Sequence, residues 1–266
     1  MTTTQKAVDT ATTITDSVAA QFSKAAYLGI GRYVAGRYTL TPLEVNTFAK
    51  HRLKIFSYYE TLASQISDFT VLKAQRDSKQ ALTVTRIIGQ HYGSAICPSV
   101  DFEATANDLN QLEAYFVAYK KAIQPHFLLG GYGSDFVINS LDHVFDVKVQ
   151  TSAWSAGRIS KFADMYQHNE GMLMYGISVD ELTVYNEIGW WAPWMTSKIQ
   201  VQVPAKPSPK LPKDVMANTT LATAVEKAMS IGALGVYADD TFRPEQPLTR
   251  AQAAVMTEAI LRAVGK

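Results

Sequence analysis

Asp101 and Glu103 stand two residues apart in Ala95–Glu103, a segment whose side chains alternate in character. Read as a strand, Ile96, Pro98, Val100 and Phe102 form an apolar row, and Cys97, Ser99, Asp101 and Glu103 form the opposite row. Both acids then point the same way, roughly 7 Å apart, at the end of one strand. Two like charges at that spacing raise the pKa of at least one group, which makes it a proton donor at neutral pH. Asp9, Glu60 and Asp180 also fall at the ends of apolar runs. Each acid alone says little, because Asp often caps the helix after a strand. Gathered at one rim, they suit glycoside hydrolysis, which uses paired carboxylates across a sugar ring. The same hard oxygens would also suit Mg²⁺ or Ca²⁺. Aromatics at matching positions, Tyr33, Tyr59, Tyr132 and Trp154, weigh toward the sugar, whose apolar faces stack on rings.

Such a rim needs strands that end together. Eight short apolar runs are strand candidates: one ending at Asp9, then 26–34, 53–60, 95–103, 127–132, 148–154, 163–167 and 174–180. Helical patterns lie between them. Thr41-Pro42-Leu43-Glu44 is a start signal, with a capping hydroxyl, a proline at the first position and a glutamate three residues after the cap. Residues 74–91 and 107–121 carry apolar residues at helical spacing. Strand alternating with helix predicts an α/β fold, a closed (β/α)8 TIM-type barrel with a small C-terminal helical domain. A doubly wound open sheet is the alternative, weakened by the lack of a glycine-rich phosphate loop after any strand.

Residues 203–213 hold four of the ten prolines and three lysines. Proline lacks the amide donor that a helix or central strand requires, so this stretch reads as an extended linker. The expected domains are therefore a barrel over 1–202, the linker over 203–213, and a small unit over 214–266. The chain has 266 residues, 47% of them hydrophobic, enough for a sizeable core. Its 25 basic and 24 acidic residues give +1, which argues against nucleic acid as a partner. No run of 18 apolar residues predicts a membrane span. Cys97 is the single cysteine, which excludes an internal disulfide and a cysteine-based zinc cluster, and the five histidines lack metal-ligand spacing. No cofactor and no metal is expected. Residues 188–194 hold three of the four tryptophans and read first as packing of a last barrel helix.

The ordered set Asp9-Thr-Ala, Gly31-Arg-Tyr33, Tyr59-Glu60, Val100-Asp-Phe-Glu103, Gly131-Tyr132, Trp154 and Val179-Asp180 resembles the bacterial glycoside-hydrolase-like barrel family similar to the family-25 lysozymes. The resemblance covers about residues 6–195. It implies cleavage of the β-1,4 bond after N-acetylmuramic acid in peptidoglycan, with Glu103 as general acid and Asp101, Asp9 and Asp180 assisting. Glu60, Tyr59, Arg32, Tyr132, Trp154 and Gln167 are expected to hold the glycan. Residues 224–254 resemble one S-layer homology repeat, with Gln252 where glutamate is usual. That resemblance implies anchoring to secondary cell-wall polysaccharide through Thr249 and Arg250. A lone repeat of this size is expected to dock on the barrel or to form a homo-oligomer.

The expected protein is thus a peptidoglycan hydrolase of endolysin or autolysin type, extracellular or at the cell wall. No signal peptide is visible at Met1–Asp9, which leaves three routes open: a cytoplasmic protein released by lysis, export by an unusual route, or a leader already removed. The competing readings are a non-catalytic wall-binding protein and a metal-dependent hydrolase.

Overall fold

The computed structural model describes residues 4–195, 211–215, 219–230, 239–247, 249–250, 252–254 and 256–257. The chain divides into two compact units, Met1–Val201 and Gln202–Lys266. Residues 203–210 of the expected linker lie outside the described residues.

Eight strands of the first unit close into a barrel in chain order. They are β1 (Gln5–Asp9), β2 (Gly29–Tyr33), β3 (Lys54–Tyr59), β4 (Ala95–Pro98), β5 (Leu128–Gly133), β6 (Val147–Thr151), β7 (Met165–Met174) and β8 (Ile177–Val184). Closure rules out the open-sheet alternative. The barrel departs from eight equal repeats, however. Helices α1 (Asp16–Lys24), α2 (Pro42–Lys50), α3 (Val71–Ile88), α4 (Leu109–Ile123) and α5 (Asp135–Ser140) follow the first five strands. No helix separates β6, β7 and β8. The strands β1 to β7 pair in parallel, whereas β8 runs antiparallel to both β7 and β1.

The helices begin and end where local chemistry dictates. Thr41 and Glu44 close a capping box on α2, with Pro42 in its first turn. Helix α3 stops at Gly89, whose left-handed φ of 69° terminates the helix without Cβ strain.

Strand alternation sorts side chains between two cores. Val8, Ile30, Ile55, Ile96 and Leu129 face the helices. Ala7, Phe56, Tyr58, Ala95, Cys97, Val147, Val149, Met165, Leu182 and Val184 fill the barrel interior. The tryptophan segment is not a helix. It crosses the N-terminal end of the barrel: the Ile55 amide donates to the Trp191 carbonyl (2.8 Å), and the Ala95 amide to that of Gly189 (2.9 Å). Trp190 joins the interior core beside Phe56, and Trp191 donates from Nε1 to the Ser57 hydroxyl at 3.0 Å. This end is therefore plugged, which leaves the opposite rim as the open one.

In the second unit, α6 (Thr220–Ser230) carries Ala222 and Val225, which share a small core with Val215. Asp214 accepts from the amides of Phe242 and Arg243, both at 2.7 Å. Among the described residues no helix is long and apolar enough to cross a membrane.

Candidate active site

The inward rows of the strands converge at the C-terminal rim on a pocket of about 180 Å³. Asp9 closes β1, Tyr33 closes β2, and Tyr58 and Glu60 come from the end of β3. Ser99 and Asp101 follow β4, and Tyr132 lies on β5. Gln167 and Glu170 come from β7 and Asp180 from β8. Gly31 makes the close approach possible, because a Cβ there would lie 2.5 Å from the Tyr58 ring and 2.6 Å from the Asp9 Cβ.

Asp180 reaches this rim by a route the parallel-strand reading did not contain. It sits within β8 and pairs with Asp9 in register. The reversed direction of β8 brings its first half to the rim where the other strands end. Gln167 bridges the two acids: its amide nitrogen Nε2 donates to Asp9 Oδ2 at 2.8 Å and to Asp180 Oδ2 at 3.4 Å. Its Oε1 accepts from the Tyr132 hydroxyl at 2.7 Å. Gln167 and Tyr132 thus hold the carboxylates in place as well as lining the pocket.

Four carboxyls of this group titrate above their ordinary range. Burial raises Asp9 strongly, reinforced by the charges of Asp180, Glu60 and Glu170 and opposed by the Gln167 bond. Burial and then the Asp101 charge raise Glu60, and a bond to Ser99 opposes them. Burial and then Glu170 raise Asp101. Burial raises Asp180, opposed by the Gly171 amide, which donates to it at 2.6 Å. The pocket therefore favours retention of a proton among its carboxyls, the property that a general acid needs.

These shifts carry a stability cost with a definite sign. A carboxyl whose folded pKa lies above its unfolded value binds more protons when folded. Its destabilising effect is absent below the ordinary carboxyl range, grows as pH rises through that range, and is complete above the folded pKa. Asp9→Asn should therefore raise Tm relative to wild type at pH 7, with the difference vanishing toward pH 3. Equal Tm values at pH 7 in differential scanning calorimetry would refute the burial argument.

Several expected site residues lie elsewhere. Glu103 is exposed and is not part of the pocket. Strand β4 ends at Pro98, so the alternation that paired Glu103 with Asp101 no longer applies there. Arg32 is 1% exposed and faces the helix layer, where it pairs with Glu44 at 3.1 Å. Tyr59 also points outward, donating to Asp77 at 3.0 Å and Gln80 at 2.9 Å. Trp154 stands on the loop after β6, 39% exposed, with a left-handed φ of 53°, and does not line the pocket. In the second unit Thr249 and Arg250 are exposed. The Thr249 hydroxyl accepts from the Gln252 amide (3.1 Å), and Gln252 Oε1 accepts from the Thr249 amide (2.9 Å). Gln252 thus completes the capping box that glutamate would form. Among the described residues no three histidine, cysteine or acidic side chains are arranged to hold a metal ion.

The sequence reading missed Tyr58 and Glu170. Tyr58 was identifiable from strand alternation, because it shares the face of Glu60. Glu170 sits in a bulge of β7, where the register with β8 shifts between His168 and Met172. Asn169 (φ 50°) and Gly171 (φ 69°) flank it in left-handed conformations. Thr151 and Ser152 hydroxyls donate to its Oε1 at 3.2 and 3.0 Å. A bulge re-aims a side chain, and this one turns Glu170 toward the pocket. The only sequence signal was the Asn-Glu-Gly triplet, whose outer residues tolerate positive φ.

The barrel fold finds counterparts among solved structures. The crystal structure of the Mycobacterium tuberculosis Tat-secreted protein Rv2525c matches with a TM-score of 0.63 and 20% identity, covering 71% of this chain and 99% of that one. An uncharacterized B. stearothermophilus protein matches with a TM-score of 0.52 and 15% identity, covering 68% and 95%. Both likenesses concern the fold. Uncharacterized protein FadG of Bacillus subtilis (strain 168) is 28% identical over 110 residues, which are 39% of this chain and only 19% of that protein. Residues 214–254 match the S-layer homology domain. Residues 20–199, the whole barrel apart from β1 and the start of α1, match the Rv2525c-like, glycoside hydrolase-like domain, and the chain belongs to that family.

Proposed function

We propose that the protein is a peptidoglycan hydrolase, an N-acetylmuramidase-like lysozyme of endolysin or autolysin type, brought to the cell wall by its S-layer homology domain. The observation that carries this reading is the ring of Asp9, Glu60, Asp101, Glu170 and Asp180 around one open pocket, four of them with raised pKa. Glu60 replaces Glu103 as the proton donor. It is half-buried while Asp101 is exposed, so Glu60 keeps the proton and Asp101 the charge. Glu60 protonates the leaving oxygen, and Asp101, Asp180 and Asp9 stabilise positive charge developing on the sugar. Trp154 offers a ring at the rim for a more distant sugar, and Thr249 and Arg250 contribute to secondary cell-wall polysaccharide binding.

The test is release of reducing ends and clearing of turbidity with purified Gram-positive walls. Wild type should do both. The position of Glu103 outside the pocket favours one competing reading, a barrel that binds glycan without cleaving it. Wild type that sediments with several walls yet releases no reducing ends would decide for binding alone.

Glu170 gives a pH prediction. Its charge raises both Asp101 and Asp180. Glu170→Gln removes that charge, so those acids ionise at lower pH and the acid limb of the activity profile moves down. The shift should be a few tenths of a unit to about one unit, since the pair is partly solvated. An unmoved limb would show that Glu170 does not act on the catalytic acids.

A further inference from the structure

The pocket contains a buried polar group that the carboxylate chemistry leaves unused. Tyr58 is 3% exposed and lines the pocket, yet its hydroxyl has no hydrogen-bond partner among the described residues. A buried hydroxyl without a partner is costly, and most of the tyrosines around it avoid that cost. The hydroxyls of Tyr59, Tyr115 and Tyr132 all reach carboxylate or amide oxygens. Tyr119 is also unpaired, but it lies in the helix-layer core and lines no described pocket. The Tyr58 ring is fixed by Phe56 (5.2 Å between centroids), Tyr33 and Tyr132 (both 6.1 Å), and by the bare backbone of Gly31. A rigid donor is thus held at a pocket whose other walls are mainly acceptors.

We propose that Tyr58 recognises the sugar seated in the pocket, its hydroxyl donating to a neutral hydroxyl or acetamido oxygen of that ring. This rests on the reading of the pocket as a glycan site. A neutral oxygen fits better than an anionic one, because five acidic side chains surround the pocket. Burial and the nearby Asp9 keep the phenol protonated, so it remains a donor across the working pH range.

The test compares Tyr58→Phe with Tyr59→Phe in the full chain, on purified Gram-positive walls. Tyr58→Phe breaks no hydrogen bond within the protein, so its Tm should equal or exceed that of wild type. Its KM should rise roughly tenfold with kcat nearly unchanged, the signature of a lost ground-state hydrogen bond. Tyr59→Phe should do the reverse, lowering Tm and leaving KM alone. A wild-type KM for Tyr58→Phe, or a larger Tm loss than for Tyr59→Phe, overturns the proposal. Should wild type bind walls without cleaving them, the lytic reading fails, and Tyr58 is then judged by sedimentation. A tenfold weaker Kd for Tyr58→Phe upholds its role, and an equal Kd overturns it. Wild type that neither cleaves nor binds overturns both.

Discussion

Glu60→Gln and Asp101→Asn should each cut wall hydrolysis by about 10²–10⁴-fold, whereas Glu103→Gln should proceed near the wild-type rate. The magnitude is that of removing a positioned general acid or its electrostatic partner. The contrast follows from where the chain goes after β4. The Val100 amide donates to the Tyr132 carbonyl and the Asp101 amide to that of Ala63, both at 2.9 Å. These bonds hold Asp101 at the rim. The chain then bends at Phe102, whose ring packs near Phe69 with centroids 5.9 Å apart, and Glu103 follows it into solvent. An exposed carboxyl outside the pocket lacks the reach that proton donation needs. Initial rates of reducing-end release would check all three variants at matched folded concentration. Loss of activity in Glu103→Gln with retention in Glu60→Gln would return the donor to Glu103, through a rearrangement on substrate binding.

The largest stability effect should come from a residue that was expected to bind substrate. Arg32→Ala should destabilise the barrel by roughly 3–5 kcal/mol, lowering Tm by on the order of 10 °C. The Arg32 guanidinium donates through Nε and pairs through Nη2 with Glu44 Oε1, and Nη1 donates to the Thr10 carbonyl. Glu44 in turn accepts from the Ile14 amide at 3.1 Å and closes the α2 capping box with Thr41. One ion pair therefore ties β2 to the loop after β1 and to the start of α2. Arg32 is 1% and Glu44 3% exposed, so solvent does not screen the pair. Removing the arginine leaves a buried carboxylate and an unpaired carbonyl, which costs far more than the pair contributes. Replacing both by apolar residues, as in Arg32→Met with Glu44→Leu, should recover part of the loss. A Tm within about 2 °C of wild type for Arg32→Ala would show that water relieves the site.

Much of this arrangement was legible in the chain. The Thr41-Pro42-Leu43-Glu44 cap formed as read, because capping depends only on residues three apart. Asp9, Glu60 and Asp101 met at one rim, because inward-facing acids at strand ends must meet once the sheet closes, whereas Asp180 joined them only because β8 runs the other way. Arg32 and Tyr59 were misplaced for a reason equally visible in the sequence. Each is adjacent on its strand to a residue facing the pocket, so each must face the other way. The tryptophan segment was misread because burial at the barrel end needs no helical period.

The sequence by itself determined the local matters: the approximate positions of the strands and most helices, the caps, the face on which each strand residue sits, and the family to which the ordered acids belong. The tertiary structure decided which of those faces share a pocket. The reversal of β8, the bulge that turns Glu170 inward, and the end of β4 at Pro98 that releases Glu103 are all outcomes of strand pairing. The physical reason is that side-chain alternation is set by neighbouring residues, whereas strand direction, register and strand length are set by pairing with other strands, as Asp9 pairs with Asp180.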